Sequence, residues 1–438
     1  MMAAQKADLL ITNARLFCPA SQLDKLGWLA VSDGRIAGLG AGQPDKQQKA
    51  AQIFDGGGQL LLPGLVDMRV QASDPGAEHL ESLEALLQAA AAGGITSLAT
   101  LPDTLPVIDN SAMIDSISLR ASRLGGPRLF CLGAMTQGLG GQRMAELGMM
   151  AEAGARGFAS HLTSVADSQL MRRIMTYAAM LERPVIHHCA DPALSAEGEM
   201  QEGETATRLG LIGIPAAAET IILERDLALV RLTGAAYHAG HISTAGSVAA
   251  LRRAKQEGLK VTADTAPPWF LLNEMAVPGF DTAFRLDPPL RTEQDRLAVI
   301  DGLADGTIDA IASDHRAINP DHKKQPFGMA SPGAAGIETL LPLSLALVSA
   351  GALSLERMVQ CLTAGPAAIL GLETGQLAVG KPADMIVLDS QTGWVIRSAD
   401  FVTPSLSTPF EGQPVQGRVL ASWVGGAQIF SYQNGPQR

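Results

Sequence analysis

Four cysteines are spread over 438 residues, at Cys18, Cys131, Cys189 and Cys361, and no two stand at a paired spacing. That pattern excludes a disulfide framework and a cysteine zinc site, and it fits a reducing compartment. Charge is also scarce. Charged residues make up 18% of the chain, and the 33 Lys and Arg are outnumbered by 44 Asp and Glu, leaving a net charge of −11 with no basic cluster. Nucleic acid and anionic membrane surfaces are therefore not expected as partners. Long apolar runs are missing as well: the most apolar stretch, Leu340 to Leu353, is interrupted by Pro342, Ser344, Ser349 and Gly351. It reads as a buried helix rather than a membrane span. The opening MMAAQKADLLITNARLF has no basic region followed by an unbroken apolar core, so no secretory leader is expected and a cytoplasmic location is. No lysine occurs between Lys49 and Lys255.

What is present is a large apolar fraction, 47%, in a chain long enough for a barrel of roughly 250 to 300 residues plus a smaller domain. Residues 8 to 62 alternate apolar stretches with turn signals such as Asp33-Gly34 and the run Gly56 to Gly58, which predicts short strands joined by tight turns. From residue 63 the pattern becomes apolar strands followed by alanine-rich helical runs, as in LESLEALLQAAAAGG before TSLATL and MRRIMTYAAMLE before RPVIHHC. Repeated alternation of this kind implies parallel strands with crossover helices. After Gly371 the strands return in GKPADMIVLD, GWVIRSADF and GRVLASWVGGAQIF. The expected organisation is one β-sandwich domain from 1–62 and 372–438, enclosing an α/β barrel over 63–371.

The stretch LLPGLVDMRVQASDPG carries the chemistry. Alternation along a strand puts Arg69 and Gln71 on one face, two residues apart. A guanidinium has no lone pair and a permanent positive charge, so position 69 repels a divalent cation, and Gln71 is a weak oxygen donor at best.

Through Pro63, Gly64, Leu65, Val66 and Asp67, and through AAAAGGITSLATLPDTLPVIDN, GLGG, TRLGLIGIPAAAE, YHAGHISTAGSV, FRLDPPLR, IASDH, LTAGPAAILGL and GQLAVGKPADMIVLD, the chain resembles the dihydroorotases of the amidohydrolase superfamily. The resemblance implies a (β/α)8 TIM-like barrel of the metallo-dependent hydrolase type, with the two chain ends forming the β-sandwich. It also implies one or two metals at the carboxyl ends of the barrel strands, activating a water. The family's ligands are a His-x-His pair, a bridging lysine carbamate or aspartate, two later histidines and an aspartate that shuttles the proton. His188, His241 and Asp314 match the last three, leaving Asp314 as the only retained catalytic candidate. Arg69 and Gln71 stand in place of the His-x-His. The lysine gap removes the carbamate, and Ser160 and His161 in GFASHL do not match a bridging carboxylate. The substrate positions are changed too: Ser73 replaces the arginine that pairs with the substrate carboxylate, Asp103 and Asp287 replace asparagines, and Ile318 replaces a histidine. Pro267, Pro268 and Trp269 replace Pro-His-His. His187 is expected to pack on the far side of its strand, His238 has no clear assignment, and His79, His161 and His322 are expected in loops or on the surface.

With metal ligands and carboxylate clamp lost together, the expected rate is near background. The chain most resembles the noncatalytic dihydroorotase-like chains that associate with aspartate carbamoyltransferase. That likeness implies an inactive structural partner of that enzyme, a homo- or hetero-oligomer, and no cofactor. Two alternatives stand beside it. One is an active cyclic-amide hydrolase with a reduced mononuclear zinc site built from His188, His241 and Asp314. The other is a pocket that binds a metabolite without chemistry, with Arg69 supplying fixed charge. Hydantoinase and allantoinase activities are disfavoured, because those relatives use the carbamylated lysine.

Overall fold

The structure, a computed structural model, describes residues 7–45 and 49–432. Residues 1–6, 46–48 and 433–438, all inside the expected composite domain, lie outside the described residues.

The chain opens with β1 (Ala7–Cys18), β2 (Leu23–Ser32), β3 (Arg35–Ala41), β4 (Ala50–Asp55) and β5 (Leu60–Pro63). The barrel follows, with β6 (Leu65–Val70), β7 (Ile95–Thr100), β8 (Arg128–Cys131) continued past Leu132 by β9 (Gly133–Ala134), β10 (Phe158–Ala159) and β11 (Val185–His188). A small excursion pairs β12 (Met200–Gln201) with β13 (Gly213–Ile214). The barrel resumes at β14 (Tyr237–Gly240), β15 (Val261–Thr265) and β16 (Ala310–Ile311), and β17 (Met385–Val395), β18 (Pro414–Val424) and β19 (Ala427–Ser431) end the fold.

Neighbouring barrel strands pair in parallel, as the strand-helix alternation predicts. The ring closes where Val70 bridges His315, with the Gln71 N–H donating to the His315 carbonyl at 3.0 Å. Buried Asp67 reinforces that seam by accepting from the backbone N–H of Ser313 at 3.2 Å. Helix starts are set by side chains that satisfy the first free N–H groups: Ser82, Asn110, Asp167, Thr244 and Ser354 accept from the first turn of their helices. Thr292 and Asp295 form a reciprocal capping box. Such caps contribute about 1 kcal/mol each. Gly64 is required where β5 passes into β6, because a Cβ there would lie 2.1 Å from Thr96 Oγ1.

The terminal strands form one eight-stranded sheet in the order β19-β18-β17-β5-β1-β2-β3, with β4 on β1, rather than two separate sheets. Phe54 on β4 nevertheless meets Trp423 on β18 edge to face at 4.9 Å. Phe54 pairs with Ile11, whereas Trp423 lies across Met385 from Pro63, well along the strands from Phe54, so the sheet must fold over on itself, and its apolar interior includes Leu16, Leu29, Leu61, Met385 and Val387. Among the described residues no helix is long and apolar enough to cross a membrane.

Candidate active site at the barrel mouth

His188 ends β11, His241 follows β14, and Asp314 lies just beyond β16, so all three sit at the carboxyl ends of barrel strands. His241 and Asp314 have positive φ angles of 39° and 49°. Left-handed backbone is unfavourable for such residues and tends to be found at functional positions. At both positions the turn directs the side chain into the mouth.

Arg69, from β6, enters the same space. Its side chain is buried, its Nε donates to Asp314 Oδ1 at 2.9 Å, and its Nη2 lies 3.0 Å from His241 Nε2. Gly240 makes this possible: a Cβ at that position would lie 2.6 Å from Arg69 Nη1. A guanidinium only donates, so His241 Nε2 is an acceptor and its ring proton belongs on Nδ1, 3.3 Å from Asp314 Oδ1. His188 Nδ1 approaches His241 Nε2 to 2.5 Å. Burial, then His241 and Arg69, hold the His188 pKa well below the ordinary imidazole value, so the ring is neutral. Burial alone would raise the Asp314 pKa, but its contacts with His241 and the Arg69 guanidinium outweigh it and bring it to about 2.

These residues do not fit a divalent cation. Two imidazole nitrogens on a tetrahedral zinc, each about 2.0–2.1 Å from the ion, stand roughly 3.3 Å apart. The facing nitrogens of His188 and His241 are closer than that, and Arg69 takes the lone pair of one and an oxygen of Asp314. The space bounded by Arg69, His161, Asp287 and Asp314 is about 20 Å³, room for about one water.

The other expected positions surround this pair. Gln71 donates through Nε2 to Asp103 Oδ2, away from His188 and His241. Burial pushes Asp103 up to about 6. Asp287 Oδ1 lies 4.0 Å from His188 Nε2, and Ser160 Oγ accepts from the His188 backbone N–H at 2.9 Å. Ser73 and Ile318 line a neighbouring cavity of about 150 Å³ with Gln71, Asp103, Arg316 and His322. Trp269 meets the His241 ring edge to face at 5.4 Å.

Among the remaining histidines, His79 and His322 are exposed, as expected for loop residues. His161 is a loop residue, as expected, but a half-buried one: its Nδ1 lies 3.0 Å from Asp103 Oδ2, and burial, then Arg316 and Arg69, push its pKa down to about 3. It is neutral, so this contact is not an ion pair. Its place just beyond β10, where barrel sites are built, was the available signal. His187 is buried, with Nδ1 2.6 Å from Asp226 and Nε2 accepting from the Val165 N–H. With Cys189 these two form the one metal-like grouping among the described residues. Both ring nitrogens are occupied, and burial holds the Cys189 thiol pKa well above its ordinary value, so the grouping is a filled hydrogen-bond network. His238 binds Asp264, whose Oδ1 accepts from the backbone of His241, so it braces the site from below.

Sequence reasoning also missed His315. Its Nε2 lies 3.0 Å from Glu81, both side chains being fully buried. Burial opposes its proton, but Glu81 outweighs burial and raises the pKa above 6.5. A raised imidazole pKa means the folded chain holds the proton more tightly, so this pair stabilises fully below pH 6.5 and less as pH rises through the folded value. Urea unfolding of the protein and its Glu81→Gln variant is therefore expected to differ most near pH 6 and to converge toward pH 9. A gap that widens with pH would contradict the pairing.

The family described as Dihydro-orotase-like matches residues 58–247, and an amidohydrolase family matches 345–430. Across almost the whole chain, the sequence is 42% identical to a protein named dihydroorotase from Syntrophotalea carbinolica, over 95% of this chain and 98% of that protein. The chain belongs to the dihydroorotase family. A second such protein, from Pelobacter propionicus, is 41% identical over 97% of this chain and 99% of its own length. Among solved structures, the L-hydantoinase (dihydropyrimidinase) of Arthrobacter aurescens superposes with a TM-score of 0.87 at 25% identity, covering 97% of this chain and 96% of that one. The amidohydrolase barrel is thus retained in a dihydroorotase-family chain whose mouth is spanned by an arginine.

Proposed function

We propose that this dihydroorotase-family chain does not hydrolyse dihydroorotate and acts as a structural partner of aspartate carbamoyltransferase, the preceding enzyme of pyrimidine synthesis. The observation that carries the first part is the Arg69–Asp314 pair. Cyclic-amide hydrolysis needs a water turned into hydroxide and a base to take its proton. Asp314 is tied up by the Arg69 Nε–H and held below the ordinary carboxylate range, which makes it a poor base at neutrality. Arg69 fills the position from which an ion would polarise the carbonyl. The family's carboxylate-binding arginine and its later histidine are also replaced, by Ser73 and Ile318, which leaves Arg316 as the cation on that cavity. The placement in pyrimidine synthesis is supported by the relatives' name, and the partnership by the likeness to noncatalytic family chains.

A second reading, an active cyclic-amide hydrolase with one zinc on His188, His241 and Asp314, is favoured by that same name. It requires Arg69 to leave a buried pair. The partnership is tested by co-expressing the full chain with the aspartate carbamoyltransferase of its own organism. The two are expected to co-elute on size exclusion and the transcarbamoylase to gain thermal stability. Separate elution at micromolar concentrations, with no change in melting temperature, would overturn it.

A further inference from the structure

A separate cleft of about 680 Å³ lies between the terminal sheet and the helices Leu83–Ala92 and Leu340–Ser349. That volume is in the range of small-molecule sites. In a chain with only 4% aromatic residues, Trp394, Phe401, Phe430 and Tyr432 all line it. Arg418 also lines it, its guanidinium carbon 4.0 Å from the Trp394 ring centroid and 4.9 Å from that of Tyr432.

Among the described residues, no carboxylate lies within ion-pair distance of Arg418, and its Nε is buried without a hydrogen-bond partner. A partly buried cation without an anion is costly, and cation–π contact offsets that cost only in part. Two aromatic rings lie against the guanidinium and its Nε is buried, so its two Nη groups are what it offers a ligand; that pair suits a bidentate carboxylate. The acids nearby do not supply one. Glu338 accepts from the backbone N–H groups of Val402 and Thr403, at 2.9 to 3.0 Å. Asp400 lies on the lining, beyond ion-pair reach of Arg418. Both acids add negative charge beside Arg418, so a phosphate dianion is repelled more strongly than a monocarboxylate. The walls away from Arg418, including Pro342, Phe401, Val402 and Phe430, are apolar.

We propose that this cleft binds an aromatic monocarboxylate, its oxygens on the edge of Arg418 and its ring against Phe401 and Phe430. Isothermal titration of the full-length protein with 1-naphthoate tests this, with neutral 1-naphthamide and dianionic 1-naphthyl phosphate as comparisons. Naphthoate is expected to bind one-to-one, at least tenfold more tightly than either comparison. Arg418→Met should weaken it at least tenfold while leaving naphthamide unchanged. Arg418→Gln, which keeps a planar stacking group without charge, serves if the methionine variant does not fold. Equal affinity for naphthoate and naphthamide, preference for the phosphate, or naphthoate binding unaltered by the substitution at 418 would each overturn the proposal.

Discussion

Replacing Arg69 by methionine is expected to cost the protein about 3 kcal/mol of folding stability, read as a lowered urea midpoint. Arg69 is among the largest fully buried side chains, and Asp314 beside it has a side chain only 21% exposed. Removing one member of such a pair leaves the other charge in a poorly hydrated place, which typically costs 3–5 kcal/mol, and the partial exposure of Asp314 favours the lower end. Replacing both partners should be milder. Arg69→Met with Asp314→Leu is expected to fall short of the sum of the single effects by about 1–3 kcal/mol, since the two residues share one interaction. Gly240→Ala gives an independent check through the same guanidinium: its Cβ would lie 2.6 Å from Arg69 Nη1, so it should destabilise the natural chain by about 1–3 kcal/mol and matter little once residue 69 is methionine. If instead Arg69 were an ornament beside a metal-anchored mouth, its removal would leave stability unchanged and the two substitutions would add.

Much of this site was legible in the chain itself because its logic is local. Pro63 to Asp67 mark the strand, and alternation puts residues 69 and 71 on one face. The exclusion of a cation at position 69 follows from guanidinium chemistry alone. Barrel architecture was legible from the repeated strand-helix pattern. What was not legible depends on closure of the ring. Nothing near Arg69 says that Asp314, 245 positions away, accepts from it, or that Gly240 leaves it room. The contacts of His161 and His315 were not legible for the same reason, since their partners Asp103 and Glu81 come from other strands' loops. The single folded sheet likewise depends on pairing between β5 and β17, strands from opposite ends of the chain.

Rebuilding the lost pair is expected to change metal binding more than any other substitution. In Arg69→His with Gln71→His, the fixed cation is gone and two imidazoles replace it on the strand whose residue 69 already reaches His241 and Asp314. Together with His188, that supplies enough nitrogen and oxygen donors for a four-coordinate zinc. Elemental analysis should rise from no stoichiometric zinc to about one equivalent per chain. Dihydroorotase turnover should nevertheless stay near background. Ser160 still offers no bridging carboxylate, and Ser73 and Ile318 still stand where the family has its substrate-binding arginine and histidine. Substantial turnover in this double variant would mean that those later losses matter less than the charge at position 69.

The central claim is that a buried arginine, rather than a metal-bound hydroxide, occupies the working position of this barrel. Zinc content and dihydroorotate hydrolysis, measured together on the purified full-length protein with and without added zinc, test it most directly. Substoichiometric metal and a rate indistinguishable from the uncatalysed reaction are expected under both conditions. One or more tightly held zinc ions per chain, with turnover abolished by Asp314→Asn, would contradict it.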